Sequence, residues 1–438
     1  MRILHITAGA GGMYCGSCLL DNALAAEQLR RGHDVLLLPV YTPTLTDATN
    51  VSDAHVFFGG ISVYLEQHVP LFRKTPWLLD KLWDNAPVIR AATGRGLSVE
   101  PAALGELTVS TLKGEDGFQA KEFRKLLDFL AGQPPFDVVL IPNSLLISLA
   151  PALRRELKCP VVCTLAGEDL FLQGLKDEHR VEAQALIRGH ASSVDAFISN
   201  SDYYADFMAS FVGLPRDKVH TVPMGIDLEG HAPRAVRADG ALVIGYMARI
   251  APEKGLHLLA EAYRILRKER GLPAARLEAA GYLGSDRGYL EDVRTSLRDA
   301  GLEDEFHYRG TLDRSEKIIF LQGLDILSVP SPYAEPKGLY LLEALANGVA
   351  CVSPRHGTFP EVLGRTGGGL LFEPNDPGDL ATQLAQLASD RQAAWELGAR
   401  GAEGVRRHHS IAAMAERALE VYGSIGAGQS RDRATGGG

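Results

Sequence analysis

Twelve short apolar runs alternate with helical patterns along the 438-residue chain, in two sets of six. The first set lies at 3–7, 35–41, 138–142, 161–165, 196–200 and 219–222. The second lies at 242–246, 276–280, 306–309, 326–329, 350–353 and 370–372. A strand that is apolar at every position has to be covered on both faces, as parallel sheets flanked by helices are. Helical patterns at 17–31, 121–130 and 201–212 supply crossovers of that kind. The predicted fold class is α/β, with two Rossmann-like doubly wound parallel-sheet domains, and the length also exceeds what one ordinary core holds.

The boundary is expected at 228–241, where periodicity stops and Gly, Pro and charge collect. This gives a first domain at 1–227, a linker at 228–241, a second domain at 242–425 and a Gly/Ser-rich disordered tail at 426–438. Residues 56–117 fit no regular pattern and read as an insertion. Trp77 and Trp83 stand there among Arg73, Lys74 and Lys81. A packing subdomain is one reading, and a weak peripheral membrane contact is another.

A net charge of −9 argues against a nucleic-acid partner. The start, MRILHITAGAGG, reaches glycine too soon for a signal peptide, and the chain has no run of about 18 apolar residues. A cytoplasmic location is the expectation. Cys15 and Cys18 form a Cys-x-x-Cys pair that suits either a spectator role or a redox dithiol. Cys159 and Cys163 bracket a strand and would stand about 13 Å apart, too far to share a metal.

The richest segment is SPYAEPKGLYLLEALANGVACVSPRHGTFPE, from Ser331 to Glu361. Pro336 and Gly338 disfavour helix, and the leucines and alanines that follow favour it. Glu335 therefore falls just before a helix N-terminus, where backbone N–H groups and the helix dipole favour anions. Glu343 lies deeper, among apolar neighbours, where a carboxylate without a partner is costly. A polar ligand would be one such partner. An ordinary strand-loop-helix with two incidental glutamates is the plain alternative.

Glu335 and Glu343, the strand at 350–353 and the turn Gly357-Thr358-Phe359-Pro360-Glu361 together resemble the retaining GT-B glycosyltransferases of the large family that includes sucrose synthase and bacterial nucleotide-sugar glycosyltransferases. The resemblance implies two domains facing across a cleft, the first for the acceptor and the second for a nucleoside-diphosphate sugar donor, with the helix at 411–422 crossing back to the first domain as in similar proteins. It also implies that Glu335 orients the donor sugar and Glu343 binds the ribose. Lys337, Gly338, Leu339 and Glu361 complete the expected donor-binding set.

Ligands of open parallel sheets bind beyond the strands' C-terminal ends. After the first strand, Gly11 and Gly12 would let a phosphate approach the backbone. The run fails as Gly-x-Gly-x-x-Gly because Tyr14 takes the third glycine position, and no acidic residue ends the second strand, which disfavours a nicotinamide enzyme. After the seventh strand, Arg249 and Lys254 are placed to hold a diphosphate, as the same residues do in similar enzymes. A salt bridge to Glu253 or Asp227 is the structural alternative. The chain has no Asp-x-Asp triplet, so no metal site and no resident cofactor are expected.

The chain departs from its relatives after the strand at 161–165, where many carry histidine and this sequence reads Ala166-Gly167-Glu168-Asp169. Glu168 and Asp169 are the acceptor-side candidates, or else caps of the next helix. Lys337 stands where many relatives have an aromatic residue, and a cation there either meets an anion or reaches to solvent. The expected activity is transfer of a sugar, a hexosyl group foremost, from a UDP-, GDP- or ADP-sugar to a sugar, glycan or lipid acceptor, with retention. A glycosyl phosphorylase of similar fold and a non-catalytic sugar-nucleotide sensor are the alternatives. Over residues 56–117 the likeness is weak, and Phe57 to Tyr64 resembles only loosely a segment of glycogen and starch synthases, which implies a share in shaping an acceptor cleft.

Overall fold

A computed structural model describes residues 1–9, 16–44, 46, 49–57, 104–233, 240–273, 275–284, 286 and 288–435. The chain divides into two compact units, Met1–Pro223 together with Met414 onward, and Met224–Ala413.

The first unit is built on a six-stranded sheet. Its strands are β1 (Arg2–Thr7), β2 (Asp34–Pro39), β3 (Val138–Ile141), β4 (Val161–Leu165), β5 (Ala196–Ser199) and β6 (Val219–Thr221). Their order is β2-β1-β3-β4-β5-β6 and every pairing is parallel. The helices are α1 (Gly16–Arg30), α2 (Gly105–Leu112), α3 (Ala120–Ala131), α4 (Ala150–Leu157), α5 (Asp169–Gly174), α6 (Asp177–His190) and α7 (Asp202–Val212). Strands β3 and β5 are buried at every position, as continuous apolar runs require.

The second unit carries β7 (Leu242–Met247), β8 (Ala275–Ala280), β9 (Phe306–Tyr308), β10 (Ile326–Leu327), β11 (Ala350–Pro354) and β12 (Gly369–Phe372). Here the order is β12-β11-β10-β7-β8-β9, again parallel throughout. Its helices are α8 (Leu256–Lys268), α9 (Tyr289–Asp299), α10 (Arg314–Gln322), α11 (Leu339–Ala346), α12 (Phe359–Thr366), α13 (Pro377–Ser389) and α14 (Arg391–His408). The chain winds outward from β7 through β9, crosses back, and winds the other way from β10. The loops after β7 and β10 therefore diverge at a switch point, the place where such sheets hold ligands.

All twelve expected strands are present, with ends shifted by a few residues. The division falls earlier than the expected 228–241 linker. Met224 and the residues after it are held by the chain just past α14: Ile226 N donates to His409 O at 2.8 Å, Ile411 N to Ile226 O at 2.8 Å, and His409 Nδ1 to Met224 O at 2.8 Å. A last helix, α15 (Ile411–Thr435), passes into the first unit, where Ala415, Ala418 and Tyr422 are buried. Residues 414–425 thus leave the second domain to which they were assigned. The expected disordered tail is helical as far as Thr435, since glycines weaken a helix but do not end one already nucleated by packed turns. Within the expected insertion, α2 is ordinary core, with Val109 and Leu112 buried, while its aromatic and basic stretch and the proposed membrane contact lie outside the described residues.

Candidate donor site

Three loops of the second unit converge on Glu335. After β7 the chain makes a short turn at Pro252–Lys254 and reaches Gly255 at φ 75° before α8 begins. A Cβ on Gly255 would lie 2.0 Å from Pro330 O, so only glycine lets this loop pass the one after β10. The loop after β11 is equally close: a Cβ on Gly357, at φ 61°, would sit 2.5 Å from Glu335 O, and Thr358 N donates to that oxygen at 2.9 Å.

Glu335 is buried, and the cost of that burial is offset by Lys254, whose Nζ bonds its Oε2. Lys254 also donates to Tyr333 Oη at 3.1 Å and stands 5.1 Å from the Tyr333 ring centre and 5.9 Å from that of Tyr340. Tyr340 Oη lies 3.5 Å from Glu335 Oε2, and burial, with Glu335 second, drives its phenol well above the usual range. His356 Nε2 meets Ser331 O at 3.0 Å. A carbonyl only accepts, so Nε2 carries the proton, and burial lowers the pKa of the ring.

Arg249 sits at the same strand end, but its Nη2 is paired with Glu253. The salt-bridge alternative therefore describes Arg249 in this state, whereas Asp227 pairs with Arg314 at 3.0 Å instead. The Arg249 side chain is 39% exposed, which leaves it within reach of a ligand.

Glu343 lies in α11 and its partner is internal: Lys317 Nζ of α10 donates to Oε1 at 2.5 Å. The expectation of a polar ligand as that partner is not needed to explain the buried carboxylate, because α10 packs a lysine there. Helix α11 starts at Leu339 with Gly338 at φ 67° as its cap. Lys337 therefore precedes the cap rather than occupying the first turn, where a cation would oppose the helix dipole. Glu361, in the first turn of α12, lies 3.6 Å from Arg365.

On the first unit, Glu168 is fully occupied. Its Oε1 accepts from Ser144 N at 3.0 Å and Ser144 Oγ at 2.5 Å, and its Oε2 from Ala166 N at 2.6 Å. It holds neighbouring loops and makes no side-chain cap for α5, contrary to the capping alternative. Asp169 accepts from Tyr204 Oη at 2.9 Å, and burial raises its pKa. Gly11, Gly12 and Cys15 lie outside the described residues, and Cys18 is buried. Among the described residues no cluster of His, Cys, Asp and Glu suits a metal ion, and no helix is long and apolar enough to cross a membrane. Sequence reasoning missed Tyr333, His356 and Lys317. His356 adjoins the Gly-x-x-Pro-Glu turn and was within sight, but nothing in the sequence joins Lys317 to Glu343.

Two doubly wound parallel-sheet units, with an acid-base cluster at the second unit's switch point, define a GT-B architecture. Comparisons agree. Residues 231–404 match the family model described as glycosyl transferases group 1, and residues 108–229 match that of glycosyltransferase family 4. The chain is similar to WcaL of Escherichia coli K12, named for colanic acid biosynthesis, at 31% identity over 52% of this chain and 55% of that protein. It matches little more than half the length of such curated relatives. In fold it is similar to sucrose-phosphate synthase from Thermosynechococcus elongatus, with a TM-score of 0.69 and 17% identity over 98% of this chain and 99% of that one. Anabaena HepE, solved with UDP, gives 0.67 and 16% over 97% and 100%.

Proposed function

We propose that the protein is a glycosyltransferase that moves a sugar from a nucleoside-diphosphate donor to an acceptor hydroxyl with retention of anomeric configuration. The observation that carries this reading is the Lys254–Glu335 pair at the β7/β10 switch point. A lysine and a carboxylate that neutralise each other in the free site are matched in charge to a donor with an anionic diphosphate and a hydroxyl-bearing sugar. HepE has been solved with UDP-glucose, which supports a nucleotide sugar as ligand for a fold of this kind.

In this reading the bond from the anomeric carbon to the β-phosphate oxygen breaks and its electron pair stays on that oxygen. Lys254 leaves Glu335 for the diphosphate, and Arg249 joins it from Glu253, so that positive charge meets the developing anion. Glu335, released, accepts hydrogen bonds from the sugar hydroxyls. The acceptor oxygen bonds to the anomeric carbon on the same face, and its proton passes to the departing phosphate. Glu343 binds the ribose. Lys337 and Glu361 belong to the same donor-binding set, Gly11 and Gly12 are assigned to the phosphates, and Glu168 and Asp169 are the acceptor-side candidates. A protonatable leaving phosphate and a lysine-arginine pair leave no step that calls for a metal.

The test is turnover of UDP-, GDP- and ADP-sugars with candidate acceptors, followed by NMR of the product's anomeric proton. Glu335→Gln and Lys254→Met should each lower kcat/KM by about 10²–10³-fold, and EDTA should leave the rate unchanged. Tight donor binding without nucleotide release in any acceptor would favour a sensor, and inverted product would overturn retention.

A further inference from the structure

Glu335 Oε2 meets two donors of different kinds. One is Lys254 Nζ, from the turn after β7, and the other is the Tyr340 hydroxyl, 3.5 Å away on the second residue of α11. A lysine carries its charge on a flexible four-carbon stem, whereas a tyrosine has two side-chain torsions and a rigid ring. The Tyr340 ring has neighbours of its own: the Phe359 ring centre lies 6.3 Å from its centre, and Lys254 Nζ lies 5.9 Å from it. Its hydroxyl also stands 3.3 Å from Ser331 Oγ, so that one phenol spans both ends of the segment 331–335. Ser331 is fixed in turn by His356, whose Nε2 donates to its carbonyl at 3.0 Å.

We propose that Tyr340 is a positioning residue that keeps Glu335 in place while Lys254 is engaged with the diphosphate. The proposal rests on the reading that the lysine leaves Glu335 for the donor. Once it does, a carboxylate only 4% exposed has lost its charge partner, and a buried charge without a donor is costly. The Tyr340 hydroxyl turns its hydrogen from Ser331 Oγ to Oε2, which a rotation about the C–O bond accomplishes with the ring at rest. The phenol keeps its proton throughout, since burial drives its pKa well above the usual range. Glu335 then meets the sugar hydroxyls from an unchanged position.

Tyr340→Phe keeps the ring and removes only the hydroxyl, and two double-mutant cycles read the effect. The first needs no ligand. Thermal melts of the full chain should show Tyr340→Phe lowering the transition by about 2 °C or less when Lys254 is present, and by about 5 °C or more in Lys254→Met, where Glu335 then loses both donors. Equal losses in the two backgrounds overturn the proposal. The second is calorimetric binding of UDP, GDP and ADP. Tyr340→Phe should weaken the tightest of them by about tenfold, but by about threefold or less in Glu335→Gln, whose neutral amide needs no replacement for the lysine. Equal weakening in both backgrounds, or none in either, overturns the role of Tyr340 and leaves the donor reading intact. Should Lys254→Met fail to fold, this second cycle decides alone. If wild type binds none of the three diphosphates, the donor reading itself fails and the proposal with it.

Discussion

At the scale of single residues, burial rather than sequence neighbourhood sets the chemistry. His5 is fully buried in β1 with Nε2 2.7 Å from Gln28 Oε1, and burial lowers its pKa to about 4. The unfolded chain takes up a proton near pH 6.5 that the folded chain refuses, so stability is full above that pH and falls as pH drops from 6.5 toward 4. The loss amounts to roughly 3 kcal/mol at the low end. Urea midpoints measured from pH 4.5 to 7 should show this slope in wild type and a flatter one in His5→Asn. An identical slope in the variant would assign the acid sensitivity to other groups. The catalytic candidates behave in the same way. Glu335 and Lys254 are separated by 80 residues of chain and are understood only as a pair that makes burial tolerable.

At the scale of elements, the site depends on loops that cross with no room for a side chain. Gly255→Ala or Gly357→Ala would push a Cβ into a carbonyl, at a cost of about 3 kcal/mol or more. Gly367 has a similar φ of 66° but nothing within 4 Å of its Cβ position. Gly367→Ala should therefore cost only about 1 kcal/mol. Thermal melts of the three variants would check this, and equal losses at all three would mean that backbone conformation alone decides. The strands were legible because a fully buried parallel strand must be continuously apolar, and the ends of β2 and β10 were each placed two residues too far on. Strand β10 ends at Leu327 because Ser328 turns its hydroxyl to Val352 O at 2.8 Å and the chain leaves the sheet for the site. Glu335, Arg249 and Lys254 were legible through their place after strands. Lys317 was not, since pairing across two helices leaves no mark on local pattern.

At the scale of the whole molecule, the unit boundary was placed at 228–241 because periodicity stops there, whereas the second unit already begins at Met224, whose neighbours bond to residues 409–411. The passage of α15 into the first unit gives a direct test. Deleting residues 414–435 should remove the cover that Ala415, Ala418 and Tyr422 provide, lowering the first unit's melting transition by several degrees or more. Deleting only 427–435 should leave it nearly unchanged. An intact transition in the longer deletion would show α15 to be dispensable.

The same feature orders events during synthesis. The second unit is, in topology, a guest inserted between two pieces of its host, since residues 224–413 are made after one piece and before the other. Every strand of the guest leaves the ribosome before the last helix of the host does. The host, although its sheet is translated first, stays open on the side that α15 covers until the guest is complete. Domains made earlier usually fold earlier. Here the second unit can close first, so that nascent chains halted near residue 413 would carry a protease-resistant second unit and a still-sensitive first one.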